Sequence, residues 1–160
     1  MQTSSLPKLN TKDNPTGCCP RFVPTGWDNK VIDLTLKKFV RITTRSFFYM
    51  PLNMGAMMKK TWDAITQAQA DSTDEFVMLS FDMTPWKCEH YLLVKKTVPG
   101  QEMATIKGKY RTKVFEGPFQ NAPKWVAEMG GGKVYLYYTT CPKCSKVYGK
   151  NYVVAFKKVA

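Results

Sequence analysis

The sharpest chemical pattern in the chain is Cys141-Pro142-Lys143-Cys144. Two thiols at this spacing make half of a zinc knuckle, and Cys18-Cys19 can supply the other two. Four thiolates around one ion form a closed site, which suits a structural zinc. Adjacent cysteines are an awkward chelate for one tetrahedral ion, so plain reduced thiols and a redox or disulfide pair stay open. A redox CxxC wants a helix N-terminus in a thioredoxin-like setting, whereas Cys141 to Lys150 reads as a loop joining antiparallel strands. Five cysteines with no secretory leader point to reduced thiols or a metal before a disulfide framework. Cys88, the fifth, reads as a small hydrophobe.

The second candidate is Glu89-His90-Tyr91 at the start of a β-type run. A carboxylate in an aromatic-lined groove has a raised pKa and can serve as general acid or base. Tyr91 lies two positions on and on the same face, so a water-activating pair can be drawn. The plainer reading is a surface glutamate at a strand end beside a partly packed histidine. Glu116 is another carboxylate, but its corner position suits satisfying backbone N–H groups. One histidine is too little for a Ser-His-Asp or Cys-His constellation. Tyr91, Tyr135, Tyr137, Tyr152, Trp62, Trp86 and Trp125 offer stacking surfaces with polar tips for a flat ligand. In a small β-rich protein the same residues also serve as core.

A pattern written twice positions these residues. Val40 to Phe48 reads as strand, Tyr49-Met50-Pro51-Leu52-Asn53 as a corner, and a helix follows from Met54. Ala104 to Phe115 reads as strand, Glu116-Gly117-Pro118-Phe119 as a corner, and a short helix opens near Pro123. Proline suits a first helical turn because its missing N–H would have had no partner. From Val31, Leu34, Leu36, Val40 and Ile42 share one parity and Lys37, Arg41 and Arg45 the other, with Lys38 breaking the dry side. Met54, Met57, Met58, Trp62 and Ile65 recur at helical spacing. A loop at Asp71 to Asp74 leads to strands at Phe76 to Phe81 and Glu89 to Val94, and Pro99-Gly100 closes the first unit. In the second, Lys107, Lys109, Arg111 and Lys113 alternate on one strand face. Its helix stops at Gly130-Gly131-Gly132, and strands follow at Val134 to Thr140 and Asn151 to Val159.

Strand–helix–strand–strand, repeated with these corners, resembles the GyrI-like small-molecule-binding domain. The carrying residues are Val114 to Phe119, Leu79 to Asp82 with Pro85, and the strand from Cys88 to Val94. Cys18-Cys19-Pro20 and the ending from Thr139-Thr140-Cys141 to Phe156 look like a stand-alone, hydrolase-labelled branch. The resemblance implies one antiparallel sheet with both helices on one side and an organic ligand in a groove between the repeats. Cation-binding members often carry an acid on the final strand. Here that strand starts Asn151-Tyr152, so a neutral or anionic aromatic ligand is implied instead.

At 160 residues and 44% apolar content the chain is long enough for one domain with a real core. The expected layout is a flexible arm over 1–30 and a domain over 31–160, with repeats 31–99 and 100–160. No apolar run approaches the roughly 18–20 residues needed to cross a bilayer, so a cytoplasmic protein with no membrane partner is expected. The net charge of +12 allows a polyanionic partner, although no helix-turn-helix, zinc-finger or RNP-like signature accompanies it. The expectation is therefore an α+β protein of two βαββ repeats that binds a small organic molecule, requires no cofactor and carries a possible structural zinc. A hydrolase of a strained or activated small molecule, and a basic nucleic-acid- or protein-binding module, are the alternatives.

Overall fold

The computed structural model describes residues 3–48, 50–72 and 75–159. Tyr49 of the first corner and Thr73 and Asp74 of the expected loop lie outside them. In chain order the elements are β1 (Thr3–Ser4), β2 (Val31–Asp33), β3 (Lys38–Phe47), β4 (Met50–Pro51), α1 (Met54–Gln67), β5 (Met78–Thr84) and β6 (Lys87–Val94). Then come β7 (Met103–Ala104), β8 (Lys109–Glu116), a 3-10 turn (Phe119–Asn121), α2 (Ala122–Glu128), β9 (Val134–Tyr138), α3 (Pro142–Tyr148) and β10 (Tyr152–Lys158). The architecture is α+β. It divides into two compact units, Thr35–Lys107 and Met1–Leu34 with Gly108–Ala160.

In the Thr35–Lys107 unit, β6 lies between β3 and β5 and is antiparallel to both. The apolar stripe of α1 (Met57, Met58, Trp62, Ile65) packs on Val40, Ile42, Leu92 and Val94. Fully burying a side chain such as Ile65 is worth about 1.5–3 kcal/mol, so packing holds this helix where capping does not. The Asn53 side chain at its start is turned away to accept the Arg45 N–H at 2.8 Å, which ties the helix to β3.

In the other unit β10 lies between β8 and β9, antiparallel to both, with α3 between β9 and β10 in the chain. The free edge of β8 takes β2, and β1 pairs with β2 in parallel. One sheet face is covered by α2, whose Trp125 and Met129 pack on Phe115, Leu136, Val153 and Ala155. Trp125 stacks on Phe115 with ring centroids 5.6 Å apart. Side chains alternate along a strand, so Thr112 and Phe156 face the other way. There the amino-terminal arm lies over the sheet. Trp27 is buried against Tyr137 and Phe156, and the Thr112 hydroxyl donates to its carbonyl.

Three expected elements differ. The strand expected from Val31 is two, because a turn at Thr35-Leu36 sends β2 and β3 into different units and leaves Leu36 exposed. The run Ala104 to Phe115 is also two strands, separated by residues 105–108 and ending that gap at Gly108, whose φ of 114° an L side chain rarely adopts. The loop expected over Cys141 to Lys150 contains α3. Pro142 opens this helix and Gly149, at φ 71°, closes it in the left-handed conformation.

Candidate functional site

The arm and α3 bring four cysteines together. Cys141 precedes the first turn of α3 and Cys144 is buried within it, while Cys18 and Cys19 arrive from the arm. The four Sγ atoms lie within 4.8 Å of one another, and those of Cys18 and Cys19 are 3.7 Å apart. A tetrahedral ion with Zn–S bonds of about 2.3 Å needs sulfurs roughly 3.8 Å apart. The adjacent pair therefore meets that requirement, and the four together are a soft-metal donor set.

The shell around the sulfurs is ordered by hydrogen bonds. The Cys141 N–H donates to Cys19 Sγ at 3.5 Å, and Thr16 Oγ1 lies 3.2 Å from Cys144 Sγ. Tyr148 Oη donates to the Cys19 carbonyl at 2.6 Å and is 3.2 Å from the Thr16 hydroxyl. The Thr16 hydrogen bond, followed by the Cys141 and Cys19 thiols, lowers the Cys144 pKa to about 7. Burial pushes Cys19 up. Four thiolates at this spacing repel one another, so full ionisation requires a cation among them. The CxxC opens a helix and not a turn, which meets one structural condition of a redox pair. Cys18 and Cys19, however, complete a four-sulfur group that such a pair does not need. Cys88 lies apart in β6, buried, its thiol raised by burial.

Beside the cysteines, the corner after β8 and the α3 segment enclose an open cleft of about 470 Å³ lined by Glu116, Phe119, Ser145, Lys146, Lys150 and Asn151. A polar chain fixes its floor. Ser145 Oγ is 2.7 Å from the Thr140 hydroxyl and donates to Asn151 Oδ1 at 3.2 Å, and Asn151 Nδ2 donates to the Gly117 carbonyl at 2.8 Å. Gly117 sits at φ 149°, and a Cβ there would stand 3.3 Å from the Asn121 amide and 3.4 Å from the Trp125 ring. The corner therefore requires glycine to close on α2.

Glu89 is buried in the Thr35–Lys107 unit and engaged by an arginine. Arg41 Nε donates to Oε2 at 2.8 Å, Nη2 donates to the same oxygen, and Nη1 reaches Glu102 at 3.1 Å. Tyr91 Oη donates to Oε1 at 3.2 Å, so the carboxylate and tyrosine are brought together. His90 points to the other face. Its Nδ1 is 2.8 Å from Ser80 Oγ and its Nε2 is 2.9 Å from Thr44 Oγ1. Burial lowers its pKa to about 4, so the ring is neutral at pH 7.

The aromatic candidates pack on near neighbours within each unit. Tyr91 meets Phe39 edge-on, Trp62 meets Phe76, and exposed Trp86 meets Phe47 and Phe48. In the other unit Tyr135 meets Tyr110 and Trp125 stacks on Phe115, while Phe22 of the arm lies against both Tyr137 and Tyr152. Sequence reasoning missed Thr16, Phe22, Arg41 and Tyr148 as partners. Each contact joins distant positions, 128 apart for Thr16 and Cys144, and no local periodicity reports it.

Comparison with known proteins bears on the whole of this arrangement. No curated protein matches the chain. The model of a family described as bacterial hydrolase matches residues 9–159, a span that includes the four clustered cysteines, Glu89 and the cleft. With nearly its full length so matched, the chain belongs to the bacterial hydrolase family.

Proposed function

We propose that Cys18, Cys19, Cys141 and Cys144 hold a structural zinc ion, and that the chain binds a small organic molecule in the adjoining cleft. One observation carries this reading: α3 contributes Cys144 to the sulfur cluster and Ser145 and Lys146 to the cleft wall. Bound zinc neutralises thiolate charge and cross-links the arm to α3. The wall that meets a ligand is thereby held in place.

The lining supports a neutral or anionic aromatic ligand. Phe119 offers a ring, Lys146 and Lys150 offer two cations against the single carboxylate of Glu116, and Asn151, its amide held by Ser145 and Gly117, stands where GyrI-like cation binders often carry an acid. Freshly purified protein should contain one zinc per chain, lost in Cys141→Ser. A thermal-shift screen of dye-like and antibiotic-like aromatic acids should yield stabilising compounds, since a ligand of the native state raises apparent stability by mass action. Their affinity should fall at least tenfold in Lys146→Ala/Lys150→Ala. Compounds indifferent to both lysines would place the ligand elsewhere.

Hydrolysis of a strained or activated small molecule is the second reading, favoured by the family match. Glu89, with Tyr91 beside it, is the carboxylate that would polarise water. Glu89→Gln should then abolish turnover and spare binding; turnover that survives the change removes Glu89 from the chemistry.

A further inference from the structure

At one end of the Thr35–Lys107 unit three aromatic rings gather in the open. Phe47 ends β3 and Phe48 follows it in a turn, and Trp86 sits in the tight turn between β5 and β6, held beside β3 by Ser46 N–H donating to the Trp86 carbonyl at 2.8 Å. The ring centroids are 4.7, 5.0 and 5.8 Å apart. Phe47, Phe48 and Trp86 are 54%, 66% and 46% exposed, and Leu52 and Met83 in the adjoining segments are 67% and 43% exposed. Phe48 occupies the left-handed region at φ 46°, which is uncommon for a bulky residue. Arg45 and Lys87 face each other across β3 and β6 at the same end, and both are exposed. The one acid near the turn, Asp82, is exposed on β5 opposite Cys88 of β6.

We propose that this end of the unit docks on the surface of an anionic lipid bilayer. Clustered exposed apolar side chains mark an interaction surface. Tryptophan and phenylalanine beside basic residues suit the headgroup boundary, where rings enter the acyl edge and cations meet lipid phosphates. A surface contact of this kind needs no spanning segment. Single-stranded nucleic acid also combines aromatics with basic charge, but two features disfavour it. The rings are tilted 55–83° and turned on one another, so their faces are partly taken. Leu52 and Met83 have no face on which a base could stack. The Thr35–Lys107 unit itself carries ten basic and seven acidic residues, a positive balance that favours a negative membrane.

Co-sedimentation with phosphatidylcholine vesicles, with and without a third of phosphatidylglycerol, tests this in the full chain. Binding is expected to the anionic vesicles only. Phe47→Ser/Phe48→Ser/Trp86→Ser should lose it while keeping the wild-type circular dichroism spectrum and melting temperature, since these side chains are exposed. Arg45→Glu and Lys87→Glu should each weaken it by fivefold or more, because removal of one basic residue near such a surface costs about fivefold. Lipids brominated along the acyl chain should quench wild-type tryptophan emission and leave Trp86→Phe unquenched, because Trp27 and Trp125 are buried and Trp62 packs on Phe76. Failure to bind anionic vesicles overturns the proposal. So does binding that the triple variant leaves unchanged, which would report net charge alone. Binding of a single-stranded oligonucleotide through the three rings without vesicle binding, or a dimer that the triple variant dissolves, assigns the surface to another partner.

Discussion

His90 is fully enclosed and bonded at both ring nitrogens by hydroxyls, with no carboxylate among those partners. Hydroxyls serve a neutral imidazole well, because either can donate or accept. They do little to offset the cost of burying a cation. With the native pKa near 4 and the ordinary value 6.5, the unfolded chain binds more protons between those values. Stability from keeping His90 neutral is therefore fully present above pH 6.5 and is lost as pH falls towards 4. The gap corresponds to about 3 kcal/mol. Urea unfolding at pH 7 and pH 4 should show wild type losing about that much more stability than His90→Gln. Equal losses in the two proteins would mean that the imidazole accepts a proton without cost. Glu89, next in the chain but on the opposite face, shows the contrasting solution: a buried charge kept by a guanidinium.

At the scale of elements, two short helices do different work. The seven residues of α2 are far too few to persist alone, and its stability comes from Trp125 on Phe115 and Met129 on the sheet. Trp125→Ala should cost about 3–5 kcal/mol in urea unfolding. Because Trp125 also backs Gly117, that change should loosen the corner lining the cleft. A loss under 1 kcal/mol would mean that α2 is held by something other than this stack. The equally short α3 buries little apart from Cys144, and its contacts are polar: Cys141, Ser145 and Tyr148 engage Cys19, Asn151 and Thr16. Such a helix leans on the sulfur cluster where α2 leans on packing.

For the whole molecule the arm is the element that most changes the picture. Leu6 and Trp27 are buried and Phe22 lies on two tyrosines, yet the segment is largely irregular. An irregular segment has a large conformational entropy to lose on ordering, about 1–2 kcal/mol per residue for the backbone. A zinc clasp at Cys18 and Cys19 would hold the arm close and offset part of that cost. Chelation by excess EDTA should therefore lower the melting temperature by several degrees and open amide exchange through residues 13–28, with Cys144→Ser reproducing both effects in metal-replete buffer. Unchanged exchange after verified metal loss would show that Trp27 and Phe22 hold the arm unaided.

The kinds of element, and much of their order, were legible along the chain. Of Met54, Met57, Met58, Trp62 and Ile65, read at helical spacing, the last four form the packed side of α1; of the basic alternation Lys107, Lys109, Arg111 and Lys113, the last three are the exposed side of β8 and Lys107 lies before it. The CxxC was equally plain as half of a thiol site. Periodicity of this kind is local: it says which residues share a face and nothing about what covers that face. Residue type alone also offered Cys18-Cys19 as partners of the CxxC, and folding brings the four sulfurs within 4.8 Å of one another. That Arg41 would claim Glu89 and that the arm would bring Phe22 and Trp27 onto Tyr137 were decided only by folding. Each depends on packing between segments dozens to more than a hundred residues apart, where chain spacing carries no phase information. The strand breaks at Thr35-Leu36 and Gly108 belong to the same class, since a backbone turn is chosen by where the next strand finds its partner.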